Sequence, residues 1–499
     1  MKKALIFLVL AAMLAAQLVS CSGQGTGSSV QQTDAANPKA DAETEPEVTT
    51  APPVPDTDWG GRTFRVQGYR NTVSPQFSNF EIDAESEDGE VVNDAIYRRN
   101  RAIEEAYNVT ITELIEENDQ IGTVTTEVIK KNVSAGEDFC DLAFCTIVAL
   151  GPLARGGFLS DISHLEYVDF SQPWWNPEVN DTLSLLGKLY FTSSDFSLRD
   201  KNRTHILIYN RGMASDFSLG DAVALVDSGA WTYDVMTKWA KAVASDLNGN
   251  GTTDAEDRYG IGVDSYNSFP SFVASCNIVS LKKDAQGELY IDACSEYSVN
   301  AIEKIMGLTS DPAVATFCQD WQGKVDYDYW SVSSTFFREG RSLFMTAFPH
   351  SLQNLSSKSE VDYGVLPYPK YDESQQNYKT LANDFSMLFC LPVSCQDPSF
   401  TGFMIEALSA ASDTTLNAYY EISCKTKYTY DEDSARMLDL IFGGIIFEPA
   451  IIYGVEGLKD VFKTVGRART NNLATVYASI ESMANKDLEN LIGDIAALD

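Results

Sequence analysis

The sequence predicts an α/β fold with two packed domains, on three observations. The chain has 499 residues, 44% of them hydrophobic and 11% aromatic, which is enough apolar surface for two cores. Short runs with alternating apolar residues are separated by stretches in which apolar residues recur at helical spacing. Strand and helix therefore alternate, which implies a largely parallel sheet with helices on both faces.

The chain begins with a segment of a different kind. Lys2 and Lys3 precede an apolar run from Ala4 to about Ala16, shorter than the ~20 residues a membrane-spanning helix needs, in the layout of a secretory signal. It ends in Leu18-Val19-Ser20-Cys21, which is similar to the bacterial lipobox. Residues 1–20 are thus expected to be a lipoprotein signal peptide and Cys21 the lipidated N-terminus. Two acyl chains would hold it stably, since each buried methylene contributes about 0.8 kcal/mol. Residues 21–57 are rich in Gly, Ser, Thr, Ala, Pro and Glu. They cannot bury enough surface to fold and read as a disordered tether.

Order is expected from Trp59-Gly60-Gly61, a turn into a strand at Thr63–Val66. Val92, Ala95, Ile96, Ile103, Ala106 and Tyr107 follow a helical period that Arg99 interrupts. Val109–Thr112 alternates like a strand, a second helical stretch runs through Val124, Val128 and Ile129, and Asp141–Cys145 is an apolar strand. Helical spacing resumes at Ile147, Leu150, Leu153 and Ala154 and stops at Gly156-Gly157. Ligands of open α/β sheets sit at the carboxyl ends of strands, which makes Thr146 a candidate cleft residue.

Eight blocks carry a wider resemblance: YNVTIT from Tyr107, AGEDFCDLAF from Ala135, ARGGFLSDIS from Ala154, GKLYF from Gly187, ILIYNRG from Ile206, WTYDVM from Trp231, FREGRSLF from Phe337 and YGVLPYPKY from Tyr363. In this order, between about Trp59 and Glu448, they resemble the family 1 extracellular solute-binding proteins, lipid-anchored receptors of carbohydrate ABC importers. The resemblance implies a two-lobe, periplasmic-binding-protein-like fold with hinge crossovers and a ligand cleft between lobes. It places residues 58–199 and 343–412 in the first lobe and 200–342 and 413–499 in the second. The crossings are expected near Asp200, near Arg341–Met345 and near Ala411–Thr414. It further implies a monomer that hands a sugar or oligosaccharide to permease subunits. The alternatives are the same fold binding a peptide or other small solute, or a lipid-anchored glycan-degrading enzyme.

Sugars present apolar faces to aromatic rings and hydroxyls to polar side chains. Trp174, Trp175, Asp195, Trp330, Phe348, His350 and Asp384 fall where cleft residues of the resembling family tend to lie, with Asn383 beside the last. Trp231 and Trp239 sit at inward helical positions and belong to the core. No GxSxG elbow, HExxH pair, Walker loop or dinucleotide fingerprint is present, which favours a binding protein over an enzyme.

The sharpest local motif is DLNGNGTTDAED, Asp246 to Asp257. Asp246, Asn248 and Asn250 alternate, Gly251 occupies the sixth place where the loop must turn, and Thr252, Asp254 and Asp257 follow at the spacing of a calcium loop. An Asp stands last where an EF-hand has Glu. A structural calcium ion pinning a surface connection is the expectation, against an ordinary acidic turn.

Lys and Arg number 37 against 71 Asp and Glu. Without the two signal lysines the balance is 35 against 71, near −36, which disfavours nucleic acid and anionic lipid as partners. Apart from Cys21, eight cysteines are scattered without a CxxC pair and only three histidines occur, so a zinc site is not expected. Most of the cysteines read as reduced core residues, with a Cys390–Cys395 bridge left open.

Overall fold

The computed structural model describes residues 53–498 apart from 119–123, 353–354, 356–359 and 420–431. The expected signal peptide, Cys21 and most of the tether lie outside the described residues. Two five-stranded sheets organise the chain. The first is built from β1 (Arg62–Asn71), β2 (Val109–Asn118), β3 (Leu142–Thr146) and β4 (Phe191–Thr192). The second contains β5 (Ile206–Asn210) and β6 (Tyr259–Val263), after which β7 (Leu281–Lys283) and β8 (Leu289–Ile291) form a separate hairpin. β9 (Ala315–Phe317), β10 (Ser342–Ala347) and β11 (Tyr363–Leu366) complete the second sheet. β12 (Thr380–Leu381) and β14 (Ile445–Ile446) pair with each other, and β13 (Met387–Cys390) returns to the first sheet.

The strand orders are β2-β1-β3-β13-β4 and β11-β5-β10-β6-β9. Within the two sheets four pairings are parallel and four antiparallel, so the largely parallel arrangement expected from the alternation holds for only half of them; the exceptions are β13 against β3 and β4, and β5 against β10 and β11. Each exception involves a strand that follows a crossing between sheets and so enters its sheet from the opposite edge. β3, flanked on both sides and covered on both faces, is buried at every position, the pattern of a central strand.

The helix Val91–Tyr107 buries Val92, Ile96 and Ile103 and ends at Asn108, whose φ of 50° is a left-handed cap. Arg99, which interrupts its apolar stripe, is buried there as well. Its guanidinium donates to the carbonyls of Glu81 and Ile82 and to Asn100 Oδ1, so the polar group is satisfied. Trp231 and Trp239 lie in the second-sheet core with ring centroids 5.6 Å apart. Thr232 is the N-cap residue of the helix Tyr233–Val243 but makes no side-chain capping bond.

The first passage between sheets runs from Thr192 to Ile206, around the expected Asp200. The second lies elsewhere than expected. β10 pairs with β5 and β6, and β11 with β5, so residues 343–366 belong to the second sheet and the chain returns only between Leu366 and Met387. The third is also later than Ala411–Thr414, because the helix Asp413–Ala418 packs on the first-lobe helix Val91–Tyr107, whereas the helix Glu432–Phe442 packs on β11. The helix Leu473–Ala496 touches Ile147–Arg155 of the first lobe and Glu296–Thr309 of the second, so the C-terminal stretch spans both lobes. Arg155 fastens it through Asp487 at 3.0 Å and Asp494 at 2.9 Å.

Crossing segments lie side by side. Thr380 and Leu381 pair with Ile445 and Ile446, and Thr204 bridges Ala382. The cysteines among the described residues are free thiols; Cys390 Sγ is 4.0 Å from Cys145 Sγ and forms no bridge to Cys395. Among the described residues no helix is long and apolar enough to cross a membrane.

Candidate functional site

The strand directions bring the carboxyl edges of the two sheets together. On the first sheet this edge holds Thr146 at the end of β3, the turn after β1 that carries Phe77, and Asp384–Ser386 leading into β13. Thr146 is buried, and the amide of Ile147 donates to the Ser386 carbonyl at 2.9 Å. On the second sheet the edge holds Phe348 and His350 after β10, and His205 before β5. Between them lies the first crossing, the four-residue helix Arg199–Asn202 and its cap Arg203.

Arg203 links the two edges. Its guanidinium carbon sits 4.1 Å from the Phe77 ring centre and 5.7 Å from that of Phe348, cation–π contacts that compensate part of its burial. Nη1 donates to the His350 ring, 3.2 Å from Nε2. Burial pushes the His350 imidazole down to about 3, with Arg203 and Arg199 adding to the effect, so at neutral pH the ring is neutral and can accept. Phe77 meets Phe385 edge-on at 5.2 Å, and Phe348 stacks on His350 at 5.5 Å. Phe77, Phe348, His350 and Phe385 are only partly buried, an aromatic lining of the kind that receives sugar faces. Asp384 is paired with Lys463 at 2.7 Å.

Arg199, on the same side as Arg203, donates from Nη1 to the Gln76 carbonyl at 2.8 Å. Asp200 and Lys201 face the other way, into a recess of about 380 Å³ that Trp174, Asp195, Leu416 and Phe442 also line. Lys201 Nζ lies 3.6 Å from Asp195 and 3.7 Å from Asp200. Burial pulls the ammonium down, but the two carboxylates more than offset it and the net shift is upward. Burial conversely raises Asp195, in part against Lys201.

The candidate residues thus divide. Phe348 and His350 meet at the cleft, with Thr146 and Asp384 on the opposing edge. Trp174 and Asp195 share the recess. Trp175 borders the same recess, with its ring buried against Phe170 and Phe389 in the first-lobe core. Its Nε1 donates to Glu406 at 3.0 Å, beside the 3.2 Å bond from Trp174. Trp330 is half exposed and its ring contact is with Tyr329, 5.1 Å away; it does not join the cleft group. Sequence reasoning missed Phe77, Arg203, Lys201 and Glu406. The run Arg199, Lys201, Arg203 around the expected crossing was the available signal, a cationic cluster in an acidic chain.

The loop from Asp246 to Asp257 closes on itself. The Asp246 carboxylate accepts the amides of Gly249 at 2.7 Å and Gly251 at 2.8 Å, and both glycines have the positive φ that the turn needs. Asp257 accepts the amides of Leu247 and Asp254. Asn250 Oδ1 takes the Thr252 amide, and Asp254 takes the side-chain amides of Asn248 and Asn250. The donor atoms are the oxygens calcium prefers. Among the described residues, however, no group of three or more His, Cys, Asp and Glu side chains is drawn together as a metal site.

No protein-family model matches the chain, and no curated protein matches it by sequence. Solved structures do. A cyclo/maltodextrin-binding protein complexed with maltotetraose is 15% identical, covering 85% of this chain and 97% of its own, with a TM-score of 0.55. The galacto-N-biose/lacto-N-biose I-binding protein of an ABC transporter of Bifidobacterium longum, in complex with lacto-N-biose, is 12% identical over 87% and 98%, with a TM-score of 0.56. An ABC substrate-binding protein of Listeria monocytogenes in complex with cycloalternan is 11% identical over 85% and 99%, at 0.52. The chain has the two-lobe, periplasmic-binding-protein-like fold of these proteins.

Proposed function

We propose that this chain is a family 1 extracellular solute-binding protein, a receptor that captures a carbohydrate between its lobes and delivers it to an ABC importer. The observation that carries this reading is the meeting of both carboxyl edges at Arg203, between half-buried Phe77 of one lobe and Phe348 and His350 of the other. A ligand held there touches both lobes only when they close, so binding shifts the open–closed population toward a shape a permease can recognise. The side-by-side crossings at Thr204, Ala382 and Ile446 are the natural hinge. The sugar ligands of the similar structures support the ligand class. Cys21 is the anchor and residues 21–57 the tether in this reading.

A second element of the proposal is calcium at the loop from Asp246 to Asp257, with Asp246, Asn248, Asn250, Thr252, Asp254 and Asp257 as oxygen donors. The capping of Gly249 and Gly251 by Asp246 favours it, since it holds the tight turn that the spacing of a calcium loop needs.

Two measurements test the receptor reading. Thermal shift against a panel of oligosaccharides should give stabilisation by at least one without any product appearing; turnover would move the protein to the enzymes. Cys21→Ala should release the protein from membranes or block its maturation. A variant that partitions with membranes like the parent removes the lipid anchor from the proposal.

A further inference from the structure

Arg203 holds a charge that nothing nearby neutralises. The residue is 3% exposed, it forms no ion pair among the described residues, and its Nε and Nη2 are buried without a hydrogen-bond partner. Burial, aided by Arg199, lowers its guanidinium only to about 9, so it stays protonated at neutral pH. Its neighbour Arg199, 1% exposed with Nε and Nη2 likewise unpartnered, is opposed by one carboxylate, Glu81. His350 and His205 are both held neutral by burial and by Arg203. A buried, uncompensated cation is costly, and a structure retains one where something else supplies the counter-charge.

The geometry names that counter-charge. Nη1 is used by His350, and the guanidinium faces are covered by Phe77 and Phe348. What remains unpaired is the buried edge carrying Nε and Nη2, the two parallel donors that match a planar carboxylate in a bidentate pair and that become reachable only when the lobes part. Building on the receptor reading above, we infer that the ligand is an acidic oligosaccharide whose uronate carboxylate docks on the Nε–Nη2 edge of Arg203, with sugar rings against Phe77 and Phe348. The overall charge of −34 does not oppose this. Surface charges beyond about 8 Å are screened at physiological salt, whereas Arg203 acts at contact.

The experiment is calorimetric titration of the full-length protein with trigalacturonate, its neutral methyl ester, maltotriose and inorganic phosphate. The inference expects trigalacturonate to bind at least tenfold more tightly than the ester and maltotriose, and phosphate to bind weakly. Arg203→Gln should abolish that preference and Arg203→Lys should restore only part of it, because an ammonium lacks the fork. The comparison of acid with ester needs no variant, so it holds even if Arg203→Gln folds poorly. Equal affinity for acid and ester, or binding of maltotriose alone, overturns the inference and leaves the receptor reading standing. Phosphate binding as tightly as trigalacturonate also overturns it. Binding of none of the sugars overturns both.

Discussion

The short crossing helix Arg199–Asn202 sends its cations into two different surroundings. Lys201 points into the Trp174 recess and finds Asp195 at 3.6 Å and Asp200 at 3.7 Å. Arg203, one residue past the helix end, points into the cleft and finds two aromatic rings and a neutral histidine. Arg203 is the more deeply buried, 3% exposed, whereas the Lys201 side chain keeps 12% of its surface at the recess. The difference teaches how to tell a structural charge from a functional one at a single element: a buried ion that already has its counter-ion holds the fold, and one without it waits for a ligand.

Substitution breaks the two sides in opposite ways. Lys201→Met strands Asp195 and Asp200 without their cation, and breaking a buried pair from one side costs about 3 kcal/mol or more. Arg203→Gln removes a charge that had no ionic partner, so it should cost no more than about 1 kcal/mol in the ligand-free protein, the loss of cation–π contacts being offset by the relief of burial. Urea unfolding of both variants checks the contrast. Equal destabilisation would mean that Arg203 is a structural residue after all.

How far this was readable from sequence follows the same division between local and long-range information. The strand ending at Thr146 and the inward tryptophans 231 and 239 are set by short-range pattern, whereas the crossing near Asp200 and the places of Phe348 and His350 are implied by the family resemblance. The boundary at residue 343 failed because the strand that follows Phe337–Gly340 fits either lobe by its local pattern; only its pairing with β5 and β6 decides, and pairing is not a local property. Trp174 and Trp175 are adjacent and chemically identical, and which one is the more deeply buried depends on Phe170 and Phe389, the latter more than 200 residues away in the chain. Arg203 was hidden for the reverse reason: its significance lies in the partner it lacks.

The loop from Asp246 to Asp257 extends the comparison to carboxylates. Its acids are held by backbone and side-chain amides, so the loop closes without a cation, and a cation would add a second tie between its oxygen donors. Calcium binding only the folded state stabilises it by about 2.7 kcal/mol at a hundredfold excess over Kd. Chelation should therefore lower the melting temperature, and Asp246→Ala should remove that sensitivity while leaving sugar binding intact. A melting curve indifferent to chelator would leave the stretch as an amide-capped acidic turn.

Glu406 is the converse of Arg203, a carboxylate in the first-lobe core that forms no ion pair among the described residues and is held by the indole N–H groups of Trp174 and Trp175. It has an escape that arginine does not, since it can take up a proton. Burial raises its carboxyl from 4.5 to about 7, against the opposing pull of those indoles. A folded-state value above the unfolded one means that the protonated acid is favoured by folding. The contribution is fully present below about pH 4.5 and is lost as pH rises through about 7. Because the proton relieves the cost, the shift in melting temperature at neutral pH should be smaller than those expected at Lys201 and at the calcium loop. Glu406→Gln, which is neutral at every pH, should flatten the fall in stability across that window by up to one proton's worth of slope. If wild type and variant run parallel between pH 4.5 and about 7, Glu406 is ionised throughout, and the two tryptophans compensate its burial as fully as Asp195 and Asp200 compensate that of Lys201.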